Sequence, residues 1–300
     1  MLAIVSWGAY YTSPQQVLWV FPAPYPDMWG PFSSRNHFAQ FLELILPITL
    51  WFALRPSANP RLAGELPRWA FGTASAIILS AGAASASRAG VGLLVLETWV
   101  IWVLMRLSAI PGPHRPSPTK LTGRVNTLSA FYWSKKGIGT ATVVAATACL
   151  VVLAGGQNLI GRFLDPDPLA YRTQIFASAL DLIRKHPLGG SGLGTFALAY
   201  TEFARFDAGR AVEHAHNDWL EFAATGGIGF ALVWIAAGLT AARPAIHSIW
   251  AIGILAVCFH ALVDDPFART GVAGWVFMLA GVLMASSGSS GVQFRQSRIP

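Results

Sequence analysis

Seven apolar runs near membrane-spanning length divide the sequence, at about 38–54, 69–86, 90–107, 137–155, 219–239, 247–263 and 271–286. A bilayer offers no water to a backbone polar group, so runs of this length must close their hydrogen bonds internally as helices. The expected fold is therefore all-α: a polytopic integral membrane helical bundle with about seven transmembrane spans. Composition agrees, since 54% of the 300 residues are hydrophobic, only 12% are charged, and 12 are Trp. Glu43 and Glu97 interrupt two of the runs, and an ionisable group at that depth calls for a partner. Cys149 and Cys258 lie within apolar runs and speak for packing rather than for a disulfide framework.

The net charge of +7 does not point to nucleic acid, because the positive residues are sorted by side. Arg55, Arg61, Arg68, Arg106, Arg115, Lys120, Arg124, Lys135, Lys136, Arg243, Arg295 and Arg298 fall in 55–68, 106–136, 240–246 and the C-terminal tail, with Glu65 as the only acid among them. Such segments stay in the cytoplasm, and the Pro- and Ser-rich basic stretch 106–136 faces anionic membrane lipid. One membrane domain is expected over 1–300. Residues 156–216 then form a long periplasmic loop that bears the site motifs. Residues 1–37 hold no complete span; Met1 to Trp7 reads as the tail of a span whose beginning is missing, so the domain is expected to be N-terminally truncated. No basic region precedes this start, so it does not resemble a signal peptide.

Within the loop, Asp165-Pro166-Asp167-Pro168 offers a cap and a first-turn Pro. Pro187 with Gly189-Gly190 ends the element, which predicts a helix over about 168–186. Ile175, Phe176, Ala179, Leu180 and Ile183 give it an apolar face, and Arg172, three and four residues ahead, projects onto that face. A buried Arg needs a fixed anion. The stretch Gly189-Gly190-Ser191-Gly192-Leu193-Gly194 lacks the Gly-Lys-Ser/Thr of a phosphate loop and reads as a flexible turn.

The loop ends on Val212-Glu213-His214-Ala215-His216-Asn217-Asp218-Trp219-Leu220-Glu221, where polar chain meets an apolar run. Asp218 and Glu221 have the spacing of a capping box, and the same cluster borders a candidate site. His216 falls just ahead of the helix start, where the dipole favours a neutral ring able to accept a proton. No third or fourth ligand stands near this His-x-His at zinc-like spacing, so no metal is expected. His260 and Asp264, four residues apart, suit either a mutual bond or a shared place in an outer cavity.

Charge-based orientation brings Arg35, His37, Arg88, Arg172, His214, His216 and Asp264 to one face of the membrane. Two or more Arg with a neutral His at that surface suit a lipid-linked diphosphate, because guanidiniums grip phosphate and the base deprotonates an attacking hydroxyl. Head-group binding alone would also use Arg35 and Arg88, as would a non-catalytic transporter or lipid-binding protein. No inverted repeat of the transporter kind is visible.

Four groups of residues together resemble the O-antigen ligase and O-antigen polymerase superfamily of bacterial envelope glycosyltransferases. They are Gly30-Pro31-Phe32 with Arg35-Asn36-His37-Phe38; Ser87-Arg88-Ala89-Gly90; Arg172 with His186-Pro187-Leu188-Gly189 and Gly192-Leu193-Gly194-Thr195-Phe196; and His214-Ala215-His216-Asn217-Asp218-Trp219-Leu220. The resemblance implies a metal-independent, cofactor-free transfer of glycan from an undecaprenyl-diphosphate-linked donor to a lipid A core sugar or another glycan or lipid acceptor. The implied place is the periplasmic face of the inner membrane. By motif match His216 is the catalytic histidine and Arg88 and Arg172 hold the diphosphate, with Arg35, His37, His214 and Asn217 in support. Polymerisation of repeat units and protein O-glycosylation belong to the same superfamily. The chain departs from the family pattern in having fewer N-terminal spans, in Ser34 where Asn is usual, and in a His216-to-Gly226 distance one residue short.

Overall fold

The computed structural model describes residues 1–23, 28–54, 68–108, 156–167, 169, 171–206, 209, 211–245 and 248–296. The expected span 137–155 and the basic segments 55–67 and 109–136 lie outside the described residues. Those described are mainly helical: α1 (Leu2–Thr12), α2 (Arg35–Leu54), α3 (Arg68–Ala84), α4 (Arg88–Ser108), α5 (Gly156–Phe163), α6 (Arg172–Lys185), α7 (Phe196–Phe203), α8 (Asp218–Ala245), α9 (Ala251–His260) and α10 (Thr270–Gln296). A two-residue antiparallel pair, β1 (Gln16–Val17) with β2 (Phe21–Pro22), turns the chain between α1 and α2. Among the described residues, three helices are long and apolar enough to cross a membrane: Arg35–Leu54, Arg88–Met105 and Asp218–Thr240.

Helix α2 is the axle of the bundle, packed against α3, α4, α9 and α10. Its start is fixed locally, because the Ser34 hydroxyl accepts the His37 amide at 3.3 Å as an N-cap does. Phe38, Leu42 and Leu46 meet Ile78, Ala81 and Leu94 on one side of α2, while Leu44 meets Ile254, Val257, Val272 and Val276 on the other. Ser87 caps α4 in the same way, its hydroxyl accepting the Gly90 amide at 3.3 Å. The backbones of α2 and α9 come unusually close: a Cβ on Gly253 would stand 2.5 Å from the Glu43 carbonyl oxygen, a contact only glycine allows.

Helices α6 and α7 form a second core with the start of α8, built on Ile175, Ala179, Leu182, Phe196, Tyr200, Ala215 and Ala224. The expected helix 168–186 starts later, at Arg172, and Asp165 does not cap it. Asp165 instead accepts the Asp167 amide at 3.1 Å and faces Arg88. On the apolar face Leu182 is buried and Leu180 is exposed.

The Gly189–Gly194 stretch is not a flexible turn. Ser191 and Gly192 donate to the Ala224 and Thr225 carbonyls at 3.0 and 2.9 Å, and Ile228 donates to the Pro187 carbonyl at 2.9 Å. Helix α8 breaks at Gly227, φ +82°, to receive this loop. A Cβ there would lie 2.0 Å from the Leu188 carbonyl oxygen.

Candidate functional site

The last apolar run among those before α10 is expected over 247–263, yet α9 stops at His260. The physical reason is in the next residues, whose carbonyls, freed from the helix ladder, find partners across the molecule. Ala261 accepts the Asp218 amide at 3.0 Å, Leu262 accepts the Asn217 side-chain amide at 2.9 Å, and Val263 accepts the Arg172 guanidinium. Phe267 donates its amide to the Asp218 carboxylate at 2.8 Å, and the Trp219 indole donates to the Cys258 carbonyl at 3.1 Å. The segment 261–267 is thus a hub onto which the starts of α6 and α8 are sewn.

His216 sits one residue before the α8 cap with φ +50°, a left-handed conformation rare outside glycine. The cap is Asn217, not Asp218: the Asn217 side-chain oxygen accepts the Leu220 amide at 3.0 Å. Asp218 is drawn away to Phe267. Glu221 reaches back past the cap, accepting the Ala215 amide at 2.8 Å and meeting His214 Nδ1 at 3.0 Å.

His216 Nδ1 lies 3.4 Å from Asp264 Oδ1 and 3.4 Å from Asp265 Oδ1. Arg172 lies 3.8 Å from the same oxygen, so its fixed anion is Asp264. Arg269 pairs with Asp265, and His37 Nε2 approaches Asp265 Oδ1 to 3.6 Å while its Nδ1 meets the Ser33 hydroxyl at 2.9 Å. The Tyr171 ring borders His216 edge-on, 6.5 Å between centroids. His260 does not bond to Asp264; it turns inward to Glu43 at 2.7 Å.

These neighbours reverse the expected charge of His216. Burial alone would lower its pKa, but the two aspartates overcome burial and the repulsion of Arg172 and raise it to about 9. The ring is therefore imidazolium at neutral pH, not the neutral form a helix N-terminus would favour, because two carboxylates at hydrogen-bonding range outweigh half a dipole charge. Asp265, which burial would push up, is held well below the usual carboxylate range by His216 and His37. The His214 imidazole is raised by its bond to Glu221, against burial.

The site residues fall into three places. Arg172, His216, Asn217 and His37 converge on 262–265. His214 is turned to Glu221. Arg88 belongs to another edge, where it donates to the Arg162 carbonyl at 3.0 Å and lies 3.6 Å from Asp165. Its helix packs on α2 near the His37 end, Gly90 against Ala39. Arg35 is the first residue of α2, as Arg88 is of α4 and Arg172 of α6.

His37, Asp264 and Asp265 can bring ligand atoms within 4.8 Å of one another, a grouping that spacing around His214 and His216 could not reveal. It does not fit a resident divalent ion, because Arg172, Arg269 and His216 already face the two carboxylates and would repel it. Asp265 and Arg269 are the site residues that sequence reasoning missed; the only signal was the Asp264-Asp265-Pro266 string at the end of an apolar run.

A family model described as O-antigen ligase matches residues 73–235, which include Arg88, Arg172, His214, His216 and Asn217. No curated protein and no solved structure matches the chain.

Proposed function

The chain belongs to the O-antigen ligase family, and from that premise we propose that it transfers a glycan from undecaprenyl diphosphate to a lipid A core sugar or another envelope acceptor. The reaction is placed at the periplasmic face of the bacterial inner membrane, within a bundle of about seven spans, without metal or cofactor. The observation that carries this reading is the His216–Asp264–Asp265 cluster with Arg172 beside it, together with the starts of α2, α4 and α6 at Arg35, Arg88 and Arg172. Helix N-termini and guanidiniums together favour a dianionic phosphate group.

The acceptor hydroxyl oxygen attacks the donor's anomeric carbon, the bond from that carbon to the diphosphate oxygen breaks, and undecaprenyl diphosphate leaves with the electron pair. The hydroxyl proton passes to His216 Nε2, for which the described residues offer no hydrogen-bond partner. Asp264 and Asp265 orient the ring through Nδ1 and stabilise the imidazolium formed. Arg172 and Arg88 take the diphosphate charge. Ligation, repeat-unit polymerisation and protein glycosylation share this step and differ only in acceptor, so a ladder of products in envelope extracts distinguishes polymerisation from a single transfer.

The raised pKa of His216 favours a second role, in which the imidazolium meets the departing diphosphate instead of serving as base. Transfer measured from pH 6 to pH 10 separates the two. A base must be neutral, so the rate climbs with pH and levels near about 9; an imidazolium contact gives a rate that falls through the same midpoint. A chain that binds the donor and transfers glycan to no acceptor at any pH contradicts both and supports a non-catalytic lipid-binding or transport role.

A further inference from the structure

Glu43 and His260 form a hydrogen-bonded pair deep in the bundle. His260 Nδ1 and Glu43 Oε1 are 2.7 Å apart, with side chains 1% and 0% exposed. Burying two such polar groups is a poor source of stability, since their desolvation offsets most of what one hydrogen bond returns. What it does provide is a fixed distance between α2 and the last residue of α9. The residue after His260 opens the 261–267 hub, so every contact of that hub with Asp218, Asn217, Arg172 and His216 is displaced if His260 moves. Helix α2 grips the hub a second time two turns nearer the site, through His37 and Asp265. The Gly253 contact brings the α9 backbone against Glu43 itself, so the Glu43–His260 bond closes a joint that the backbone already makes tight.

We propose that Glu43 and His260 are positioning residues for the transfer site, a tether inside the membrane that sets the height of the 261–267 hub and thereby holds Asp264 and Asp265 against His216. The tether rests on the reading of His216 as the reactive group, but its effect is structural and is felt whether or not glycan is present. The groups facing His216 are Asp264 and Asp265 on the hub, Arg172 of α6 and the ring of Tyr171 just before it, and, through Asp265, His37 of α2 and Arg269. Of these the aspartates alone raise its proton affinity. A hub that slips by an ångström loosens both, leaving burial and Arg172 to act unopposed.

The test reads His216 directly rather than through transfer, so it stands apart from any failure of the transferase reading. Diethyl pyrocarbonate acylates only neutral imidazole, and mass spectrometry locates the adduct on His216 in the full chain in native membranes. In the parent, modification rises with a midpoint near about 9. Glu43→Gln keeps an acceptor oxygen at the same reach, so the tether and the midpoint hold. Glu43→Asp withdraws the acceptor by about 1.5 Å, and the midpoint drops by roughly one unit or more toward the ordinary histidine value. Gln matches Glu in size and Asp is one methylene shorter, so thermal unfolding in detergent is measured to check that each variant is folded. Equal midpoints in all three proteins overturn the proposal. Equal drops in Gln and Asp also overturn it, because charge rather than reach would then be acting.

Discussion

His216 is held in a left-handed backbone conformation with its Nδ1 between two carboxylates. Because its folded pKa is raised to about 9, the stabilisation from this cluster is full below about 6.5 and is lost as pH rises through about 9. Thermal unfolding of the parent in detergent should therefore weaken over that window, and His216→Gln should remove that pH dependence. Arg172 serves Val263 and Asp264 with different nitrogens, so Arg172→Lys, which keeps the charge and loses the fork, should weaken donor binding about tenfold or more. The need of Arg172 for a fixed anion was legible from its place on an apolar face, and the pairing with Asp264 meets it. The protonation of His216 was not legible, because a local rule about helix ends sees the dipole and not two carboxylates folded in from beyond the next helix.

The start of α8 shows how far element-level signals reach. Asn217 and Asp218 both suit a helix cap, and a spacing rule that is one residue indifferent selects Asp218; the choice is made by Phe267, whose amide takes the Asp218 carboxylate. Asn217→Ala should cost about 1 kcal/mol for the lost cap, measured by thermal unfolding, and should also release the Leu262 carbonyl. The break at Gly227 is hidden in a run that reads as unbroken apolar helix, since its cause is the Pro187–Gly192 loop docking from elsewhere in the chain. Gly227→Ala places a Cβ 2.0 Å from the Leu188 carbonyl oxygen at φ +82°. It should cost at least about 1–2 kcal/mol from backbone strain alone, again read from the unfolding midpoint.

At the scale of the molecule, periodic apolar length was the most legible property: each expected run within the described residues is a helix, although three of them meet the length and composition of a membrane span. Their ends were less legible, because where α9 stops is decided by Asn217, Asp218 and Arg172 reaching for its next carbonyls. Charge sorting predicts that the site end faces the periplasm. Leu193, 62% exposed on the docked loop, tests it: Leu193→Cys in intact cells with a permeable outer membrane should react with a membrane-impermeant maleimide, and protection until the inner membrane is lysed would reverse the orientation. The proposed transfer depends above all on His216. The most direct measurement is glycan transfer from an undecaprenyl diphosphate donor in membranes carrying the parent chain and His216→Ala at matched expression. A loss of roughly two to four orders of magnitude is expected in the variant; equal transfer by the two proteins would contradict a catalytic role for His216.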